Sequence, residues 1–522
     1  MKLQHTSLSF AALLLCAQGA SAEIVLAATP AKAQRGSVAS LDFTVHRRGE
    51  TGAAVSFSYR TRDGSARAGR DYTAVQGTAT IPAGQTQTVV SVPVSATGGG
   101  DRAVKFELLL GSPAVAGIDP NVLGFSGAGA FGVGSFTEGS AVGDFNGDGR
   151  LDVAFSGSGV VTVLANATGP GAAQGRFTKA AQIGAGQGRL RAADLNRDGR
   201  PDLVVAHNGT NRLDVLMNTT PPGATTSFTF ALTSMLTVDY GWTSDIAFAD
   251  FDADGIIDVV AANPGSTQNE GTGRALVYRN TTPQGAQVPV LTLVAQLPAS
   301  TSGSPLPRSV AAADFNGDGK PDIAIDSAGV GVLLNTTPAG ASLPTFAGVV
   351  TFPGITGANE MAVADFDRDG LPDIVTANSD GWAGFTWSVL RNGTAQGAGV
   401  PSFKRTEFIS GAPYGVAAAD VDADGFPDVV LTNLAGDASN GGTIEVHRNL
   451  GKTGGAPSFS TVVSTPAGDE PHTVSVGDFN RDGWLDYVGL DWLGNSAGFE
   501  FQRPALQQPR LARASATGTL LP

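Results

Sequence analysis

A chain of 522 residues with 47 acidic against 33 basic residues, a net charge of −14 and one cysteine is long enough for more than one domain. With no basic face apparent, it is the wrong kind of chain for nucleic acid. The single Cys16 excludes a disulfide framework, and beyond the first residues no stretch approaches the ~18 apolar residues needed to cross a bilayer.

Residues 1–22 carry Lys2, an apolar run from Leu8 to Ala17, and then Ala20-Ser21-Ala22. That order of charged, apolar and small residues marks a secretory signal cleaved before Glu23. Leu15 before Cys16 is wrong for a lipoprotein signal, so the expectation is an exported chain, secreted or periplasmic. The mature chain keeps no cysteine, so no disulfide is available to staple it.

Residues 23–126 alternate apolar and polar positions, as at Leu41, Phe43 and Val45, then Val55, Phe57 and Tyr59, then Val90, Val92 and Val94. This pattern predicts a small all-β sandwich. The run from Asp63 through Gly69 to Asp71-Tyr72, followed by Gly77-Thr78 and Gly84, resembles a Calx-β domain. The resemblance implies calcium ligands at Asp63 and Asp71. The acidic pair of that family is replaced here by Ser95-Ala-Thr-Gly-Gly-Gly-Asp101, so a structural role is expected.

From residue 127 to 503 one nine-residue stretch recurs, first as Asp144-Phe-Asn-Gly-Asp-Gly-Arg-Leu-Asp152, at intervals of roughly 50 to 64 residues. Its pattern is D-x-[D/N]-x-D-G-x-x-D. Positions one, three and five are Asp144, Asn146 and Asp148; Asp194, Asn196 and Asp198; Asp250, Asp252 and Asp254; and Asp314, Asn316 and Asp318. The last three copies give Asp365, Asp367 and Asp369; Asp420, Asp422 and Asp424; and Asp478, Asn480 and Asp482. Position six is Gly in every copy, as a turn with φ > 0 requires.

Position seven varies (Arg150, Arg200, Ile256, Lys320, Leu371, Phe426, Trp484), so its contribution is the backbone carbonyl. Position nine is always Asp: Asp152, Asp202, Asp258, Asp322, Asp373, Asp428 and Asp486. Oxygen-only donors at alternate positions suit a hard cation with six to eight oxygen ligands near ~2.4 Å, which describes calcium. An EF-hand places Glu at position twelve between helices, whereas Phe155 stands there and the flanks, such as Val153-Ala154-Phe155, read as strands.

Position two is apolar throughout and is expected to tuck under its loop. Each unit adds a third strand ending at Asn, as in Val215-Leu216-Met217-Asn218, and a fourth near Phe228, Phe346 or Phe403. Four antiparallel strands repeated radially make a propeller blade. The predicted fold is therefore all-β, a seven-bladed β-propeller preceded by a small β-sandwich.

These repeats are similar to the FG-GAP/VCBS repeats of the integrin α-subunit propeller, over roughly residues 128–503. The resemblance implies calcium, about seven ions, one per blade, in the loop between the first two strands. The Phe-Gly and Gly-Ala-Pro motifs that name the family are mostly absent, which separates the fold from integrin-like ligand binding. About half of all acidic residues lie in the seven loops, so the acidity is mostly site charge. The segment Phe131–Phe136 is expected to close the ring as outer strand of the last blade, and residues 504–522 to form a loose tail.

The histidines left after processing, His46, His207, His447 and His472, are scattered over different repeats with no nucleophile beside a base, so no hydrolase triad is expected. The Asn-x-Thr sequons at Asn166, Asn218, Asn280, Asn335 and Asn392 share one blade position, where Asn turns the chain. The face opposite the loops collects Tyr240, Trp242, Asn263, Asp380, Trp382, Tyr414, Asn433, His472 and Trp492, residue types used for protein or glycan recognition. The expectation is an exported, monomeric calcium-binding propeller for adhesion or partner recognition, without catalysis. Its alternatives are a carbohydrate-binding or polysaccharide-degrading propeller, using Glu270, Asp380, Asp437 or Asp491, and a structural envelope or matrix protein.

Overall fold

The computed structural model describes residues 25–521 except 29–30, 35–38, 49–53, 64, 96–103, 116–123, 133–135, 173, 208–211, 236–242, 266–272, 301–305, 327–328, 356, 379–385, 435–441, 452–453, 469, 493–495, 504–509 and 514. The expected signal segment 1–22 lies outside the described residues. So do Tyr240, Trp242, Glu270, Asp380, Trp382 and Asp437. The chain divides into two compact units, one of residues 121–503 and one of residues 1–120 with 504–522; the sequence boundaries were 126/127 and 503/504.

The larger unit contains seven four-stranded antiparallel sheets among the described residues, hereafter blades 1 to 7. Their inner strands are Thr137–Gly143, Gly188–Ala193, Asp245–Ala249, Val310–Ala313, Ala358–Ala364, Ala412–Ala419 and Pro471–Gly477. The inner strands touch in cyclic order, and that of blade 7 touches that of blade 1, so the sheets form a closed β-propeller. Ring closure crowds the inner strands. A Cβ on Gly139 would lie 2.3 Å from the backbone nitrogen of Leu190, a distance that leaves only glycine there.

The middle strands are buried on both faces, as in Asp202–His207 and Leu213–Asn218. This explains why they read as continuous apolar runs rather than alternating ones. Position two of each loop packs outward on its neighbour instead of only under its own loop. Phe145 meets Phe230 of blade 2 edge-on with ring centroids 6.1 Å apart. Phe251, Phe315, Phe366 and Phe479 likewise meet Phe346, Phe403, Phe459 and Phe177 of the following blade.

Blade 7 takes its outer strand from ahead of blade 1. Gly124–Gly132 pairs antiparallel with Ser496–Arg503, in a register running from Ser496 opposite Gly132 to Arg503 opposite Gly124. The closing strand thus begins seven residues before the Phe131–Phe136 segment expected from sequence. Glycine-rich Gly-Phe-Ser-Gly-Ala-Gly-Ala-Phe-Gly lacks the branched residues that announce a strand, which hid its start.

The smaller unit has two sheets. One orders Arg510–Arg513, Val25–Ala28, Ser40–Arg48 and Gln87–Pro93; the other orders Ala31–Gln34, Ser515–Leu521, Val104–Val115, Val55–Asp63 and Gln76–Ile81. Leu41, Phe43, Val45, Val55, Phe57, Tyr72, Val90, Val92 and Phe106 form one buried core. Residues 504–522 are therefore not a loose tail. Two stretches of them are strands of this unit, recruited by backbone pairing that their own composition did not reveal.

Candidate metal centres

Each nine-residue loop joins the inner strand of a blade to the second strand, whose first residue is the position-nine Asp. Two left-handed residues wind it. Position six is Gly at φ 79–93°, and position four is also left-handed: Gly147, Arg197, Ala253, Gly317, Arg368, Ala423 and Arg481 all have φ between 53 and 69°. The sequence reading missed position four, although Gly at 147 and 317 was its signal.

The winding turns carboxylates inward onto backbone N–H groups. In the first loop Asp144 accepts from Asp148 N at 3.0 Å and from Gly149 N at 2.7 Å, and Asp148 accepts from Arg150 N at 2.9 Å. Asp152, fully buried, accepts from Phe145 N at 3.1 Å through one oxygen and from Asn166 N at 2.8 Å through the other. The same bonds to position nine recur in all seven copies, ending with Asp486, which accepts from Phe479 N at 3.0 Å and Gln502 N at 2.8 Å. A carboxylate oxygen offers about two lone-pair sites, so each oxygen of Asp152 keeps one for another partner.

Electrostatics single out the same residue. Burial, offset in part by the two backbone bonds and reinforced by neighbouring loop aspartates, pushes Asp152, Asp202, Asp258, Asp322, Asp373 and Asp428 up to about 7. Asp486 is pushed up to about 8 by the same causes. Burial also raises Asp367, Asp420 and Asp422. Nearby positive charge would stabilise the anion of such a carboxylate beyond what the two backbone bonds do.

The donors fit a cation. Carboxylate oxygens of Asp250, Asp252 and Asp254, of Asp365, Asp367 and Asp373, and of Asp420, Asp422 and Asp428 lie within 4.8 Å of one another in each set. Asp420 Oδ1 is buried and accepts no hydrogen bond, which leaves its lone pairs free inside the loop. All described donors are oxygens, the set that calcium takes and zinc or copper does not favour.

Two further sets of residues complete the loops. The Asn that ends each third strand is buried at 166, 218, 280, 335, 392 and 449. Its side-chain amide donates to the position-two carbonyl of the preceding blade: Asn166 to Phe479, Asn218 to Phe145, Asn280 to Leu195, Asn335 to Phe251, Asn392 to Phe315 and Asn449 to Phe366, at 2.8–2.9 Å. The nitrogen that a glycan would need is thus engaged in the fold. Three arginines, Arg279, Arg391 and Arg448, reach position-three carboxylates.

The opposite face is partly described. Tyr414 stacks on His472 at 4.2 Å, His472 on Trp492 at 5.0 Å, and Phe136 meets Trp492 edge-on at 5.1 Å. Burial, then the charge of Arg189, pushes His472 down to about 4, so it is neutral near pH 7. Asn263 and Asn433 are buried and turned inward, where Asn433 accepts from Ser410 Oγ at 2.8 Å. The axis is crossed by ions. Glu360 of blade 5 accepts from Arg191 at 2.8 Å and Arg189 at 3.3 Å, both of blade 2, and Arg191 lies 3.2 Å from Asp245 of blade 3. In the smaller unit Asp63 accepts from Tyr72 Oη at 2.7 Å and Asp71 from Arg70 at 2.7 Å, so protein donors already serve both.

The fold and loops define an all-β repeat protein, a propeller with a small β domain. A family model described as FG-GAP-like repeat matches residues 144–205, 194–261, 250–325 and 365–431, and one described as Calx-beta domain matches residues 26–124. The chain thus contains FG-GAP-like repeats and a Calx-beta domain. No curated protein matches it.

Among solved structures, a Calx CBD2 domain is 20% identical over 18% of this chain and 59% of its own, with a TM-score of 0.17. This chain therefore spans less than two thirds of that relative. The apo-form Calx CBD1 domain is 23% identical over 19% of this chain and 86% of its own, with a TM-score of 0.17. The Dos1 propeller is 9% identical over 72% of this chain and 94% of its own, with a TM-score of 0.41. Among the described residues no helix is long and apolar enough to cross a membrane.

Proposed function

We propose that the chain is an exported recognition module whose propeller is held in shape by calcium. Positions one, three, five and nine of each loop would supply side-chain oxygens, and position seven, from Arg150 to Trp484, its carbonyl. The observation that carries the reading is the sevenfold recurrence of a buried position-nine aspartate, displaced to about 7 or 8, among further carboxylates. A bound calcium ion supplies the positive charge such a group lacks. In that role Asp152 and its equivalents tie the ion to the next strand, because the same carboxylate accepts the N–H that ends the third strand.

Recognition itself is assigned to the face opposite the loops, around Tyr414 and Trp492, with a protein or glycan as ligand. The families found are repeat and binding domains, which supports a module without catalysis. The metal reading is tested on the mature full chain by metal analysis and thermal melting with and without chelator. Near seven calcium ions per chain and a lower Tm in EDTA are expected. At a hundredfold excess over Kd each site contributes about 2.7 kcal/mol, so an EDTA-insensitive melt refutes it. A glycan array and a panel of candidate protein ligands test the face.

A further inference from the structure

The seven loops fall into two kinds, distinguished by two positions that change together. Where position three is Asp, at 252, 367 and 422, the residue before the third-strand Asn is Arg279, Arg391 or Arg448, and position seven is apolar (Ile256, Leu371, Phe426). Where position three is Asn, at 146, 196, 316 and 480, that residue is Ala165, Met217, Leu334 or, before the Gln502 that stands for Asn in blade 7, Phe501. Position seven in these four is Arg150, Arg200, Lys320 and Trp484, so only the link between position three and the strand residue holds in every copy.

The geometry explains the linkage. In the amide kind, Asn146, Asn196, Asn316 and Asn480 donate to carbonyls of the following blade's outer loop, Ala224, Ala286, Ala398 and Ala172, at 2.7–3.2 Å. A carboxylate cannot donate and adds a buried negative charge that costs stability unless it is paired. Arg279 provides the pair, with Nε 2.5 Å from Asp252 Oδ2 and Nη2 3.0 Å from Asp254 Oδ2. Arg448 contacts Asp422 through Nε and Asp424 through Nη2 at 3.3 Å. Arg391 lies 3.5 Å from Asp367 and donates to Gly454 O of the following blade at 2.9 Å, restoring the link that the amide makes elsewhere.

We propose that Arg279, Arg391 and Arg448 are built-in counter-cations that hold three of the seven loops folded without metal and lower the calcium affinity of those three. This rests on the calcium reading above. A guanidinium beside these donors, on two of them for Arg279 and Arg448 and on Asp367 alone for Arg391, competes by its charge with a divalent ion for the same carboxylates. The propeller then carries two classes of metal site. In three of the other loops a basic position seven holds position five instead, Arg150 with Asp148 at 2.9 Å, Arg200 with Asp198 at 2.6 Å and Lys320 with Asp318 at 3.9 Å, so the two classes differ in whether the built-in cation reaches the position-three carboxylate.

The test is calorimetric titration of calcium into the mature full chain, comparing wild type with Arg279→Met/Arg391→Met/Arg448→Met, together with melting in EDTA. Removing a unit positive charge beside a divalent ion is expected to tighten three sites about tenfold and leave four unchanged, while the apoprotein Tm falls. An arginine with a merely structural role would lower Tm without tightening any site, and that result overturns the proposal, as does an unchanged isotherm. If the triple variant does not fold, Arg279→Met alone, expected to tighten one site, and Asp252→Asn/Arg279→Met, expected to restore apo stability, carry the test. Absence of binding heat in the wild type would instead refute the calcium reading itself.

Discussion

The side-chain amide of Asn218 donates to the carbonyl of Phe145, one blade earlier, at 2.8 Å. The backbone N–H of the same asparagine donates to Asp202 at 2.7 Å, so one residue ties its own loop to the loop before it. Repeated around the ring, the bond couples neighbouring blades where their cores alone would only touch. Asn218→Ala keeps the N–H but strands the buried Phe145 carbonyl, and should destabilise the propeller by about 1–3 kcal/mol, read as a lower midpoint in urea. Blade 7 has Gln502 at this place, with Oε1 buried and accepting no hydrogen bond. Gln502→Asn should supply the missing link to blade 6 and raise the midpoint.

Acidity should strengthen the metal-free protein before it weakens it. Burial pushes the position-nine aspartates up to about 7 in the fold, and Asp486 to about 8, from an ordinary 3.8. Each therefore favours folding fully below the ordinary value, and that contribution is lost as pH rises through about 7. In EDTA the urea midpoint should fall between pH 4 and pH 8, whereas saturating calcium should flatten the fall. The same linkage makes calcium binding release protons near pH 6.5, which calorimetry in buffers of different ionisation enthalpy detects. A metal-free midpoint that rises over this range would count against the charge arrangement described here.

Much of this was legible because the loop uses residue types that do only one thing. Asp at positions one, five and nine and Gly at six have no apolar reason to recur, and Leu41, Phe43 and Val45 alternate as only a half-buried strand does. What stayed hidden depends on partners far away in sequence. Phe145 reads as a residue under its own loop, but its ring meets Phe230. Asn218 reads as a turn or a glycan site, but its amide spans to another blade. Arg279 carries no local sign of its partner Asp252, 27 residues away. Ser515–Leu521 is a strand only because Val104–Val115 and Ala31–Gln34 flank it.

Position four offers a stabilising change that the sequence alone would not suggest. Ala253 sits at φ 58°, a left-handed conformation that costs a residue with a Cβ roughly 1–2 kcal/mol. Two other copies use Gly there. Ala253→Gly should remove that strain at the cost of greater freedom in the unfolded chain, for a net gain of up to about 1 kcal/mol in EDTA. Gly147→Ala in blade 1 should do the reverse, and thermal melting of the pair checks both signs.

The smaller unit should depend on the far end of the chain. Ser515–Leu521 lies inside the five-stranded sheet, parallel to Ala31–Gln34 and antiparallel to Val104–Val115. Its removal would expose one edge of the sheet's centre and leave Ala31–Gln34 without its partner. A chain ending at residue 503 should therefore lose protection from amide exchange across Val104–Val115 while the propeller keeps its own. A synthetic peptide of residues 504–522 added in trans should restore that protection, because pairing to an open strand edge is carried by main-chain hydrogen bonds that any matching strand can make. Unchanged exchange on truncation would mean that the two sheets hold together without the C-terminal strands.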